Sequence, residues 1–99
     1  MRILFIGDPL LVDGYRLLDI EAAPVSTAEE LLGALDSAFK RDDLGMILVD
    51  SDYSSQVKDR IEDLKLKRAM PVLVEVPGRR TSADIDFKGI VSRIMGIKV

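Results

Sequence analysis

The chain alternates between two hydrophobic periods. Ile3-Leu4-Phe5-Ile6 is an unbroken apolar run closed by Gly7-Asp8-Pro9, the pattern of a strand buried on both faces. Met46-Ile47-Leu48-Val49 repeats it after Gly45 and ends at Asp50-Ser51-Asp52. Val72-Leu73-Val74-Glu75-Val76 is a third such run, opened by Pro71 and closed by Pro77-Gly78. Ala22-Ala23-Pro24-Val25 is a weaker fourth; Pro24 has no N–H to give a ladder, so this strand is expected at an edge.

Between the runs the period changes to 3.6. Ser26-Thr27-Ala28-Glu29 reads as a capping box in which Ser26 and Glu29 satisfy each other's free amides. Behind it Ala28, Leu31, Leu32, Leu35, Ala38 and Phe39 share one helical face, and Lys40-Arg41 complement the negative end of the dipole. A later helix carries Val57, Ile61 and Leu64 inward, with Asp63 and Lys67 paired on its exposed side. The first helix is shorter, with Asp8 as N-cap, Pro9 in its first turn and Leu11, Tyr15 and Leu18 as the inward stripe. Gly14 inside it costs about 1 kcal/mol against alanine, so either the helix is weak there or something packs closely.

The order is therefore β-α-β-α-β-α-β. Right-handed crossovers then predict an α/β domain over residues 1–78. Its four-stranded parallel sheet has the order 2-1-3-4 and helices on both faces, Rossmann-like or receiver-like. The last stretch behaves differently. Gly78-Arg79-Arg80-Thr81-Ser82-Ala83 reads as a polar, flexible connector to Ile85, Phe87, Ile90, Val91, Ile94, Met95 and Ile97, spaced as a short amphipathic helix. Residues 1–78 hold 9 basic and 15 acidic side chains, net −6, whereas residues 79–99 hold 5 and 2, net +3. A basic amphipathic helix on a tether docks on its own sheet or on another protein, and sequence leaves both open.

Composition removes whole classes of chemistry. The 99 residues include no Cys and no His, so there is no disulfide framework, thiolate metal site, thiol nucleophile or imidazole base. The overall charge of −3 argues against a nucleic-acid binder, and no apolar run approaches the length of a membrane span, so a cytoplasmic protein is expected.

Asp8 and Asp50 end the first and third strands, at the topological switch point where open α/β sheets bind ligands. Two carboxylates there suit Mg²⁺ beside a phosphorylatable aspartate, as in response-regulator receivers, which makes a signalling domain phosphorylated at Asp50 the alternative reading. A receiver wants a second acid after the first strand and a lysine ending a fifth; neither is present. The plainer reading makes Asp8 an N-cap and Asp50, Ser51 and Asp52 turn and cap residues. Gly7-Asp8-Pro9-Leu10-Leu11-Val12-Asp13-Gly14 is neither a dinucleotide fingerprint nor a P-loop, and no hydroxyl-rich loop for a flavin phosphate is present. Arg79-Arg80 suits either an acidic partner or a solvated linker. No catalytic, cofactor-binding or metal-binding residue is expected. A doubly wound domain without a site works more often through its surface.

Ile6-Gly7-Asp8, followed by Val12-Asp13-Gly14-Tyr15-Arg16-Leu17, resembles the opening of the F subunit of archaeal and bacterial A-type/V-type rotary ATPases, with its Gly-Asp pair and Gly-Phe-Arg-Leu-type helix. Pro71 to Gly78 is similar to that family's last strand and Pro-Gly exit, and Ile94-Met95-Gly96-Ile97-Lys98-Val99 to its closing helix. Leu18-Asp19 stands where the family usually has Ala-Gly, and Tyr15 where it usually has Phe. The resemblance covers essentially the whole chain. It implies a non-catalytic central-stalk protein, peripheral to the membrane, that binds the coiled-coil shaft (the D subunit) beneath the catalytic A/B hexamer. It further implies that the terminal helix, with Ile90, Val91, Ile94 and Met95, reaches toward the hexamer and modulates ATP turnover.

Overall fold

In the computed structural model, residues 1–80 are described. Four parallel strands form one sheet in the order β2-β1-β3-β4: β1 Arg2–Gly7, β2 Glu21–Pro24, β3 Leu44–Asp50 and β4 Val72–Val76. The expected strand order is therefore the observed one. The register pairs Ile6 with Val49, Gly7 with Pro24 and Asp50 with Val76, which aligns the carboxyl ends of all four strands on one edge. Pro24 costs no ladder bond because β2 is an edge strand beside β1 alone.

The period-2 alternation of β1 and β3 divides the core between two faces. Leu4, Ile6, Ile47 and Val49 point to one face, where α2 (Ala28–Phe39) places Leu31, Leu35 and Ala38 and α4 (Lys58–Lys67) places Ile61. Phe5 points to the other face, with Leu48 packed beside it, and is covered by α1 (Pro9–Leu17) through Val12, Leu11 and Tyr15. Tyr15 stacks on Phe5 at 4.1 Å between centroids. A phenylalanine ring at this position would stack in the same way, so the tyrosine leaves the packing of α1 intact.

Several local expectations shift. Helix α2 is capped by Thr27, whose Oγ1 accepts from Glu30 N at 3.1 Å, while Glu30 Oε1 accepts from Ser26 N at 2.9 Å. The box thus lies one residue later than Ser26 and Glu29, because Thr27 is still extended and Ala28 is the first helical residue. On α1 the deeply buried residue is Val12, 1% exposed, whereas Leu18 is 71% exposed because the helix ends at Leu17 and the chain turns outward. That turn is a Schellman motif: Ile20 N donates to Tyr15 O and Asp19 N to Arg16 O, with Asp19 at φ 62° where glycine is favoured. The helix expected after β3 is broken into α3 (Ser51–Ser54), a 3-10 turn over Ser55–Val57, and α4. Ile61 is buried, and Val57 and Leu64 pack beside it as expected. Arg41 does not serve the α2 dipole; it bridges Glu21 and Asp43 at 2.7 and 2.8 Å. The amphipathic stretch beyond Arg80, with Ile90, Val91, Ile94 and Met95, lies outside the described residues.

Candidate functional site

The switch point is the carboxyl edge of the sheet, where the turns leaving β1, β3 and β4 meet. Asp50 ends β3 and is 0% exposed. Its Oδ1 accepts from Asp52 N at 2.9 Å, capping α3, and its Oδ2 accepts from Asp8 N at 3.0 Å, tying the β1–α1 turn to β3. Burial pushes the Asp50 carboxyl above the usual carboxylate range; the two amides pull it back in part, and the neighbouring Asp52 and Asp8 charges raise it further. Burial also raises the Tyr53 phenol, helped by Asp8 and Asp50. Asp8 caps α1 through Oδ1, which accepts from Leu10 N at 2.8 Å, and its Oδ2 takes Arg79 Nη1 at 3.3 Å. Asp52 Oδ2 accepts from Arg80 N at 2.9 Å.

The crevice is thus occupied by the chain's own bonds. A phosphoryl acceptor needs a carboxylate open to its donor, and Asp50 has neither exposure nor an uncommitted oxygen. What the geometry gives the receiver-like alternative is a structural aspartate. Among the described residues, no group of three or more carboxylate side chains is placed to hold a metal ion. A shallow depression of about 340 Å³ over this edge is lined by Asp8, Asp52, Tyr53, Arg79 and Arg80, with Arg79 paired to Asp8 across it.

Of the residues that carry the family resemblance, Gly7, Asp8, Gly14, Tyr15, Arg16, Pro77 and Gly78 are described, and they fall into two clusters and one outlier. Gly7, Asp8, Pro77 and Gly78 gather at the carboxyl edge. A Cβ on Gly7 would lie 2.5 Å from Asp50 Cβ, and one on Gly78 would overlap Asp50 Oδ1, so both positions need a bare backbone for close approach. Tyr15 and Arg16 lie on the seam between α1 and the sheet, where Arg16 Nη2 donates to Ala22 O at 3.1 Å. Gly14 stands apart, because a Cβ there would meet nothing within 4 Å. Among the described residues, then, nothing packs closely against it. Arg79 and Arg80, expected in a solvated connector or on an acidic partner, are held by the domain's own carboxylates.

Two features escaped sequence reasoning. Asp52 meets Arg80 across 28 residues, a pairing with no local signature. The second is the outer face of α1, where Leu10 is 61% exposed and Leu17 and Leu18 are 87% and 71% exposed. Beside Leu10 and Leu18, Leu11, Gly14 and Tyr15 line an apolar groove of about 260 Å³. Leu10 and Leu17 break the inward stripe, and that irregularity was the available signal.

Comparison with known proteins gives one consistent result. Residues 3–94 match the model of the ATP synthase (F/14-kDa) subunit family. The F subunit of a V-type ATP synthase from Thermus thermophilus is 32% identical over 74% of this chain and 70% of its own length. The F subunit of an A-type ATP synthase from Methanococcus maripaludis is 31% identical over 80% of this chain and 76% of its own. Its A-type counterpart from Thermococcus kodakarensis is 29% identical over the whole of this chain and 98% of its own length.

Proposed function

The chain belongs to the ATP synthase (F/14-kDa) subunit family, and on that premise we propose that it is a non-catalytic rotor component of the central stalk. In this reading it binds the coiled-coil shaft (the D subunit) and modulates how ATP hydrolysis or synthesis is coupled to H⁺ or Na⁺ transport. It sits in the cytoplasmic, soluble sector of the ATPase, peripheral to the membrane. Among the described residues no helix is long and apolar enough to cross a bilayer.

The outer face of α1 is the observation that carries this reading. Leu10 and Gly14 on α1, followed by Leu18 at its C-cap, line one groove as a ridge whose middle knob is missing, and Leu17 stands exposed nearby. A ridge interrupted by glycine admits the ridge of a second helix at short range, which is what a coiled-coil shaft presents. Burying the exposed leucines contributes about 1.5–3 kcal/mol each at full burial. The body then acts as a stiff handle on the shaft, while Ile90, Val91, Ile94 and Met95 are exchanged between this body and the A/B hexamer.

The test is stoichiometric co-elution of the chain with the shaft protein. Leu10→Glu combined with Leu18→Glu is expected to abolish it while leaving the far-ultraviolet circular dichroism unchanged. No complex with the unaltered chain would refute the stalk reading; a complex that survives both charges would move the shaft to another face. Ending the chain at Arg80 is expected to change ATP turnover of the assembled complex, and unchanged turnover would remove the coupling role.

A further inference from the structure

A strand that simply continued past Val76 would run off the sheet at about 3.3 Å per residue. This chain does not. Pro77-Gly78 turns it back over the ends of β1 and β3, so that Gly78 lies directly on Asp50 and within 2.5 Å, at its absent Cβ, of Asp52 Cγ. The next two residues are gripped in turn: Arg79 by Asp8 at 3.3 Å and the Arg80 amide by Asp52 at 2.9 Å. Asp50 braces both grips, since it holds the amides of Asp8 and Asp52 and is itself sealed from solvent.

We propose that Asp8, Asp50 and Asp52 form a latch on the exit from β4, fixing the direction in which the chain leaves the sheet at Arg80. The three aspartates belong to the fold, whereas the grips they place on Arg79 and Arg80 do not. The bonds to Arg79 and Arg80 lie outside the strand ladders and the core, so the latch opens without unfolding the sheet. The Arg79–Asp8 pair is exposed and screened by salt, which makes it weak alone and the latch reversible. The charges fit the task. An acidic edge holds the first two residues of a segment whose net charge is +3. The inference goes beyond the stalk reading and does not depend on it, because its readout lies within the isolated full chain.

Backbone amide exchange followed by nuclear magnetic resonance tests it. The Arg80 amide is expected to exchange at least about tenfold more slowly than in an unstructured peptide. Asp52→Ala, and independently Arg79→Gln, should each accelerate it at least about threefold while the β3 and β4 amides stay protected. Should Asp52→Ala also loosen β3, the substitution at exposed Arg79 decides alone. An Arg80 amide that exchanges freely in the unaltered chain, or keeps its protection in Arg79→Gln, overturns the latch. Failure to bind the shaft would leave this result untouched, so the two proposals fail separately.

Discussion

Asp50→Ala tests whether the switch point is structural or chemical. The substitution removes the acceptors of two part-buried amides, Asp8 N–H and Asp52 N–H. Each amide left unpaired costs about 1–3 kcal/mol. Some of that returns, because a carboxylate whose pKa burial has raised no longer has to be kept charged beside Asp8 and Asp52. The net loss expected is about 2–4 kcal/mol. For a domain of this size that lowers Tm by roughly 10–25 °C. Asp50→Asn keeps one acceptor but turns an NH₂ toward the other amide, so about half the loss is expected. Urea and thermal unfolding followed by circular dichroism measure both. A change within about 0.5 kcal/mol for Asp50→Ala, the range of an ordinary surface substitution, would refute the reasoning and return Asp50 to the candidates for exposed chemistry.

Two backbone substitutions should stabilise the isolated domain. Gly14→Ala gains about 0.5–1 kcal/mol, since the added methyl meets nothing and glycine is a poor residue in a helix interior. Asp19→Gly gains up to about 1 kcal/mol by relieving a left-handed residue; no gain in either unfolding midpoint would contradict the assigned backbone roles. Acid should destabilise the fold through Glu75. Burial raises its carboxyl, but the Ser54 hydroxyl and Lys65 outweigh that and hold it below its ordinary 4.5. The folded state therefore resists the proton, and this contribution, complete above the unfolded value, is lost as pH falls through the lowered one. Glu21, held low chiefly by its bond to Arg41, adds in the same sense, while Asp50 opposes both because its raised carboxyl takes the proton more readily when folded. Unfolding free energies between about pH 6 and pH 3 should fall less steeply in Glu75→Gln than in the unaltered chain, and equal slopes would sink this account.

The sheet was legible because its causes are local or universal. Three apolar runs of strand length, the last broken only by Glu75, one proline-bearing edge run and the handedness of crossovers point to the order that β1 to β4 adopt. Caps were legible only where one register was available. Asp8 before Pro9 offers one choice, and the structure takes it; Ser26-Thr27 before Glu29-Glu30 offers two overlapping boxes, and the chain takes the second. Leu18 was misplaced because periodicity gives the face of a helix but not its last residue.

By itself the sequence determined the class of molecule: a four-stranded parallel α/β domain without thiol or imidazole chemistry, with a net-basic stretch after residue 78. Only the tertiary structure decided what stands at the switch point. Two aspartates after two strands read more plainly as caps than as a metal cradle, but the pattern fixes where they lie and not what satisfies their oxygens. The bonds that decide between them join residues 42, 28 and 71 positions apart. Such pairings depend on the register of β3 against β1 and β4, and no periodicity along a chain records them.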